Sequence, residues 1–409
     1  MRSRLVRLIP QDEENPETVA ITHFFNHRLP RNFSHARAEW FEILEATHRL
    51  WDDISSPKRE LIRSILNSFN LEVVKRMRPS SRFDFSGASI GNLFLTGARL
   101  FTGSFEAGIY LLSSICSVPD RISVLPALNT NFAHHIAAGL ADGTVITGQN
   151  DISHPSIPTK AVPGTGISTG AQTPLLQPTT LLQVSETEEH DKIEDANLPG
   201  SLPALRRPTI AFSKEDEEEL PSRIDRIWYI NPYGQEIRIP ANPRVLEAVR
   251  GCSTVIYSIG SLFTSLIPNL VLRGVGEGIA SPLIRSKILI LNGTIDRETG
   301  PSTNPFTGLD FVASIANACA ESRGLPRPSE DEYSKYVTHV IYLEGPSAPR
   351  VDRLHLSQIG IEPIRIYGPR DESGRGGRYD SRALLQALES VVGCKTVKPD
   401  RSRRNTLVG

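Results

Sequence analysis

From residue 242 to residue 392, short β-branched runs alternate with helical patterns, and this alternation constrains the chain more than any other feature. Asn242-Pro243 opens a helix, with an N-cap followed by proline at the first helical position, and Gly251 closes it. Thr254-Val-Ile-Tyr-Ser258 reads as a buried strand, as do Lys287–Leu291, Val337–Tyr342 and Pro363–Tyr367. Helical patterns cover Leu266–Ile279, Leu309–Ser322 and Ser381–Val392. The last is capped by Asp380, closed by Gly393, and aligns Leu384, Leu385, Leu388, Val391 and Val392 on one face. Strands apolar on both faces must be covered on both faces. The spacing therefore predicts an α/β fold built on a mostly parallel sheet with helices on both sides.

The remainder divides by composition. Residues 1–150 form a first folded part, richer in helix. Ser56-Pro57 opens a helix whose apolar face is Leu61, Ile62, Ile65, Leu66 and Phe69, and a long helical stretch over Gly87–Val118 breaks near Gly103-Ser104. Arg121–Leu125 and Gly143–Thr147 read as strands, the second entered by an Asp142-Gly143 turn. Residues 151–222 hold nine prolines and a single aromatic, Phe212, and end in Glu215-Asp-Glu-Glu-Glu219. So little apolar surface cannot offset the entropy of ordering, and this insert is expected to be disordered. Residues 223–394 form the second folded part. Residues 395–409, with five basic residues and one acidic, read as a frayed basic tail.

Charge nearly cancels, with 45 basic against 46 acidic residues, so no global field draws the chain to nucleic acid or an anionic membrane. No apolar run reaches the length of a membrane span. The opening Met1-Arg-Ser-Arg-Leu-Val-Arg-Leu-Ile-Pro10 has no continuous apolar core of a secretory signal, and the expected location is cytoplasmic. Cys116, Cys252, Cys319 and Cys394 lie far apart and form no C-x-x-C pair, which excludes a zinc ribbon or thioredoxin motif.

One segment carries most of the chemical information. Ser258-Ile-Gly-Ser-Leu-Phe-Thr-Ser-Leu-Ile-Pro268 follows a buried strand and leads into a helix. Gly260 lets the backbone turn, Ser258, Ser261, Thr264 and Ser265 offer hydroxyls, and Pro268 falls in the first helical turn. A strand end, a hydroxyl-rich loop and a helix start together make an anion site, commonly for phosphate. The same residues also suit an ordinary strand-to-helix turn with hydroxyl caps. Asn292, in Leu291-Asn-Gly-Thr294, marks a second strand end, and Asn92 is a third candidate within the long helical stretch. His23 and His27 lack the glutamate a zincin helix needs, so no metal site is expected there. His134-His135 sit in a segment read as helical, Asn131–Ala137. Asp52-Asp53 reads as a solvated cap, and no catalytic residue can be assigned.

Five stretches in order resemble the family of 2-phospho-L-lactate transferase (CofD) and its relative, the gluconeogenesis factor (YvcK). They are Gly87-Ala-Ser-Ile-Gly-Asn-Leu-Phe-Leu-Thr96, Ala141-Asp-Gly-Thr-Val-Ile-Thr-Gly148, Asn242-Pro-Arg-Val-Leu-Glu-Ala248, Ser258 to Leu270, and Asn292 with Glu298-Thr-Gly300. The insert and its acidic end suggest a fungal-type branch. The resemblance implies a Rossmann-like sheet with phosphates at strand ends and a nucleoside-diphosphate ligand of guanosine or uridine type. In the transferase branch a phospholactyl group passes from such a donor to a deazaflavin alcohol with Mg2+. In the gluconeogenesis-factor branch a nucleotide sugar is bound by a regulatory protein without known chemistry. The implied site residues are Asn92, Ser258, Gly260, Ser261, Thr264, Ser265 and Asn292, with no nucleic acid or membrane partner, and a homo-oligomer is compatible. The family's Gly-rich first loop and its metal-facing acidic segment have no counterpart here. Met1 to Pro10 resembles the stretch that follows them, so the expectation is an N-terminally truncated gene model, and this chain by itself supports no metal.

Overall fold

The computed structural model describes residues 2–10, 15–77, 82–130, 134–153, 202, 205, 219–369 and 377–393. Most of the insert expected to be disordered, the whole basic tail and Cys394 lie outside the described residues. The chain forms two compact units.

The first unit comprises the described residues up to 130 together with 242–245, and it is helical. Its helices are α1 (Arg2–Arg7), α2 (Pro16–Asn26), α3 (Phe33–Glu45), α4 (Ser56–Arg76), α5 (Ile90–Thr102) and α6 (Phe105–Ile115). Asn15 caps α2 by accepting from the N–H groups of Glu17 and Thr18, with Pro16 at the first helical position. Helix α4 opens at Ser56-Pro57 as predicted and buries Ile62, Ile65, Leu66, Phe69 and Val73. Leu61, placed on the same face by the sequence, is instead 40% exposed. Gly103 takes the left-handed conformation and Ser104 caps α6, so the predicted helix break falls there. Helices α4 and α5 cross closely at Gly97, where a β-carbon would lie 2.5 Å from the Ile65 carbonyl oxygen. Trp40, stacked on Phe85 at 5.1 Å, and Trp51 lie in the core. Arg121–Leu125 is not a strand, because it has no partner to complete a ladder among the described residues.

The second unit begins at His134, ahead of the boundary near 150 read from composition, and takes in the rest of the described chain except 242–245. It holds two sheets. The first is antiparallel, in the order β2-β1-β3-β4, with β1 His135–Leu140, β2 Val145–Thr147, β3 Ile224–Ile230 and β4 Glu236–Ile237. The predicted Asp142-Gly143 turn joins β1 to β2, with the Asp142 side chain accepting from the N–H and the hydroxyl of Thr144. His135 opens β1 and pairs with Ile230, which overturns the helical reading of Asn131–Ala137 for residues 135–137, while 131–133 lie outside the described residues. The reason is long-range: β3, nearly ninety residues away, supplies the ladder. Helix α7 (Gln149–Ser153) follows β2, and α8 (Pro243–Gly251) follows β4.

The second sheet is the predicted parallel one, in the order β5-β6-β7-β8: β5 Thr254–Tyr257, β6 Ser286–Ile290, β7 His339–Leu343 and β8 Glu362–Ile366. In register, Ile256 faces Ile288, Leu289 faces Val340, and Ile341 faces Ile364. Every residue of β6 is buried, as a strand with both faces covered requires. Helices α9 (Ile267–Leu270), α10 (Val275–Ala280), α11 (Gly308–Ser322), α12 (Arg353–Gln358) and α13 (Ser381–Val392) complete the unit. Helix α13 packs Leu384, Leu388 and Val391 against Ile288, Ile290, Ile341 and Ile366. Its cap at Asp380 and its stop at Gly393 are those the sequence predicts, while Leu385 and Val392 point to solvent.

Candidate functional site at the carboxyl ends of the parallel strands

In a parallel sheet all the strand carboxyl ends lie along one edge, and in open α/β sheets ligands bind in the crevice outside that edge. Here the loops leaving β5, β6, β7 and β8 meet there. After β5, Ser258, Ile259 and Gly260 are exposed and Ser261 is half-buried. After β6 comes Asn292, whose side chain donates to the Gly260 carbonyl at 3.1 Å and accepts from the Gly260 N–H at 3.3 Å. This reciprocal pair fixes the two loops to each other. The hydroxyls of Ser258, Ser261 and Ser265 have no hydrogen-bond partner among the described residues.

Thr264 has a different role. The segment expected to run as one helix over Leu266–Ile279 starts earlier and is broken. A wide π-turn covers Leu262–Leu266, α9 follows with Pro268 in its first turn, and Gly274 at φ 92° separates α9 from α10. Proline has no N–H to close the normal turn upstream, which favours the wider winding. The first amides of the π-turn are satisfied by Glu298: its carboxylate accepts from Phe263 N at 2.8 Å, from Thr264 N at 3.0 Å and from the Thr264 hydroxyl. Glu298 is buried, and that burial, outweighing these hydrogen bonds, pushes its carboxyl up to about 7. Glu298 is set in place by its neighbours, since Asp296 and Thr299 form a reciprocal capping box around it. The donors of Thr264 are therefore already used inside the protein. The sequence signal for Glu298 was present but weak, an acid in a short turn beyond a strand end.

The loops after β6, β7 and β8 enclose a cleft of about 250 Å3, lined by Gly293, residues 343–348, residues 365–368 and Gly377. Ile295 N donates to Ser347 O at 2.8 Å and ties two of its walls together. The Tyr379 hydroxyl donates to the Leu291 carbonyl at 2.8 Å and anchors the segment that follows. Arg365 pairs with Glu344 at 2.6 Å and lies 4.7 Å from the centre of the Tyr367 ring. None of Glu344, Arg365 and Tyr367 was singled out by the sequence, because a charged residue after a strand usually just meets solvent. A second cleft, of about 270 Å3, lies beside β3 and α11. Arg226 in its wall is held by Glu236 and Glu321 and Arg327 by Asp225, and Arg238 also lines it.

Asn92 belongs to the first unit, exposed near the start of α5, with its carbonyl accepting from the Thr96 hydroxyl. In the same unit His27 is paired with Glu39, and Asp52 and Asp53 are exposed. Among the described residues no three His, Cys, Asp or Glu side chains converge on a point that could hold a metal ion. Asp296 and Glu298, beside the Ser258 loop, are occupied by amides and hydroxyls. No described helix is long and apolar enough to cross a membrane.

A parallel sheet with hydroxyl- and glycine-bearing loops along its carboxyl edge marks the chain as a mixed α/β protein. This chain belongs to the family described as 2-phospho-L-lactate transferase CofD, whose family model matches residues 1–358. It is 38% identical over 359 residues to an uncharacterized protein of Saccharomyces cerevisiae, covering 84% of this chain and 78% of the other. It is 24% identical over 276 residues to the gluconeogenesis factor of Halalkalibacterium halodurans, covering 66% of this chain and 62% of that one. A putative gluconeogenesis factor of Nostoc is 26% identical over 310 residues, 75% of this chain and 51% of its own. The chain thus spans between half and two-thirds of these gluconeogenesis factors. A solved Bacillus halodurans structure is 17% identical, covering 92% of this chain and 95% of its own at a TM-score of 0.46.

Proposed function

We propose that this protein binds a nucleoside-diphosphate derivative of guanosine or uridine type at the ends of β5 and β6. One observation carries the reading. The Asn292–Gly260 pair links two neighbouring strand-end loops, and among the described residues the Ser258 and Ser261 hydroxyls beside it have no hydrogen-bond partner. Hydroxyls that no protein group occupies can turn to phosphate oxygens by displacing water alone. The amides of Phe263 and Thr264 are not part of the grip, because Glu298 already fills them. On this reading the chain is a nucleotide-binding protein of regulatory kind, in the manner the gluconeogenesis-factor relatives suggest.

Titration calorimetry with guanosine and uridine diphosphates tests it. Replacing Ser258 and Ser261 by alanine should weaken binding by about 10-fold or more, since a hydrogen bond to a charged group contributes about 1.5–3 kcal/mol. Unchanged affinity in the double variant would end the proposal.

The family description favours a second reading, transfer of a phospholactyl-type group from such a donor to an alcohol acceptor. Product formation from a guanosine-diphospho-lactate donor and a deazaflavin alcohol would establish it. Binding without product leaves the first reading in place.

A further inference from the structure

We propose that the second cleft, beside β3 and α11, binds a free α-amino acid with an apolar side chain. The proposal does not rest on the diphosphate reading, because the cleft is a separate place in the fold. Helix α11 meets the strand-end loops at its first turn, where Gly308 N donates to Arg350 O at 2.7 Å. The cleft lies along the later turns of that helix, from Ser314 to Glu321, and along the start of β3. Its volume of about 270 Å3 suits a molecule smaller than a nucleotide, since pockets for drug-sized ligands run from about 300 to 1,000 Å3.

Two polar side chains of the lining are without a partner among the described residues. Arg238, just beyond β4, is exposed and makes neither a hydrogen bond nor an ion pair. Its guanidinium lies against the turn that ends α11, where a β-carbon at Gly324 would be 3.6 Å from Nη1. Asn317 is the other. Its Oδ1 is buried with no hydrogen-bond partner. A buried polar atom left unpaired costs about 1–3 kcal/mol, so this amide gains from a ligand that satisfies it. Having no bond to break, the amide can turn about its last bond and offer its oxygen to a donor in the cleft.

The charges around these two groups select the ligand. Arg226 is shared by the carboxylates of Glu236 and Glu321, so that group carries surplus negative charge. Glu321 is four residues beyond Asn317 and therefore on the same face of α11. A donor that reaches Asn317 is favoured there when it is a cation. Arg327 and Asp225 neutralise each other, which leaves Arg238 as the surplus positive charge. An ammonium for Asn317 and a carboxylate for Arg238 make a zwitterion. A simple anion such as phosphate would bring its charge up to Glu321. Phe263 and Ile267, both buried, and half-buried Val271 form the apolar part of the lining, against which an aliphatic side chain can pack.

The test is calorimetric titration of the whole chain with L-leucine and with three probes that each lack one feature: 4-methylpentanoate without the amine, 3-methylbutylamine without the carboxylate, and glycine without the side chain. Leucine should bind saturably, and each probe should be weaker by about 10-fold or more. Arg238→Gln should weaken leucine by about 10-fold and leave 3-methylbutylamine within about 2-fold. Asn317→Leu should weaken leucine similarly and leave 4-methylpentanoate within about 2-fold. Arg238 is exposed and unpaired, so its replacement does not threaten folding and the test stands on that variant alone if Asn317→Leu is unstable. No saturable binding of leucine, equal binding of any of the three probes, or leucine affinity unchanged in Arg238→Gln would overturn the proposal. The diphosphate reading is untouched by any of these outcomes, since it is decided by the Ser258 and Ser261 variants.

Discussion

Glu298 holds Thr264 by both of its donors: the carboxylate accepts the Thr264 N–H at 3.0 Å and its hydroxyl as well. A protein carboxylate thus sits where an anion at the start of this turn would sit, and it ties the β5 loop to the β6 loop from below.

This carboxylate makes stability depend on pH in an unusual direction. In the unfolded chain Glu298 ionises near 4.5, and in the fold near 7. Between those values the folded state keeps a proton the unfolded state has lost, so Glu298 makes folding less favourable as pH rises across this window. The loss amounts to about 3 kcal/mol and levels off above pH 7. Glu17, held near 2 by the Ser55 hydrogen bonds and Lys58, acts in the opposite sense at lower pH. The measurement is therefore a difference. Urea midpoints of wild type and Glu298→Gln, taken from pH 4 to 8, should show the variant gaining on wild type as pH rises. A constant difference would refute the assignment.

Thr264→Val should behave as a stability variant. Removing the hydroxyl takes one donor from a buried carboxylate, a loss of about 1–3 kcal/mol in denaturant unfolding. Pyrophosphate affinity of the folded variant should stay within about 2-fold, because this hydroxyl is turned inward. A large loss of affinity with unchanged stability would return Thr264 to the binding surface.

Two glycines should respond in opposite ways to alanine. At Gly276 a β-carbon would lie 1.9 Å from the Cys319 carbonyl oxygen, so α10 cannot stay against α11. Gly276→Ala should cost about 3 kcal/mol or more and yield little soluble protein. Gly251 ends α8 with open space around it, and Gly251→Ala should be neutral or gain up to about 1 kcal/mol. Similar melting temperatures for the two variants would contradict the packing described.

Thiol accessibility should separate three of the cysteines. Cys116 and Cys319 are buried, and burial pushes both thiols up to about 12. Cys252 is half-buried and only moderately raised. Site-resolved mass spectrometry after alkylation of the native protein should find Cys252 modified before either of the others.

The parallel half of the fold was legible because its signals are local. Each strand from Thr254 to Ile366 is a short run rich in Val, Ile or Leu, and each cap, such as Asp380 on α13, acts within three residues. The candidate loop was legible for the same reason, as Ser258, Gly260 and Ser261 directly follow a strand. The antiparallel sheet was not, since β1 owes its conformation to β3 across the long insert. His134-His135 carries no periodicity that reveals such a partner.

The amino-acid sequence by itself determined that a parallel sheet would form and that hydroxyls and glycines would gather where its strands end. Periodicity and capping act over a few residues and need no distant partner. Only the tertiary structure decided how those groups are used. Glu298 reaches Thr264 across 34 residues of chain, and Glu344 meets Arg365 only because β7 and β8 are neighbours. Which donors are filled from within the protein depends on contacts between segments that no local pattern records.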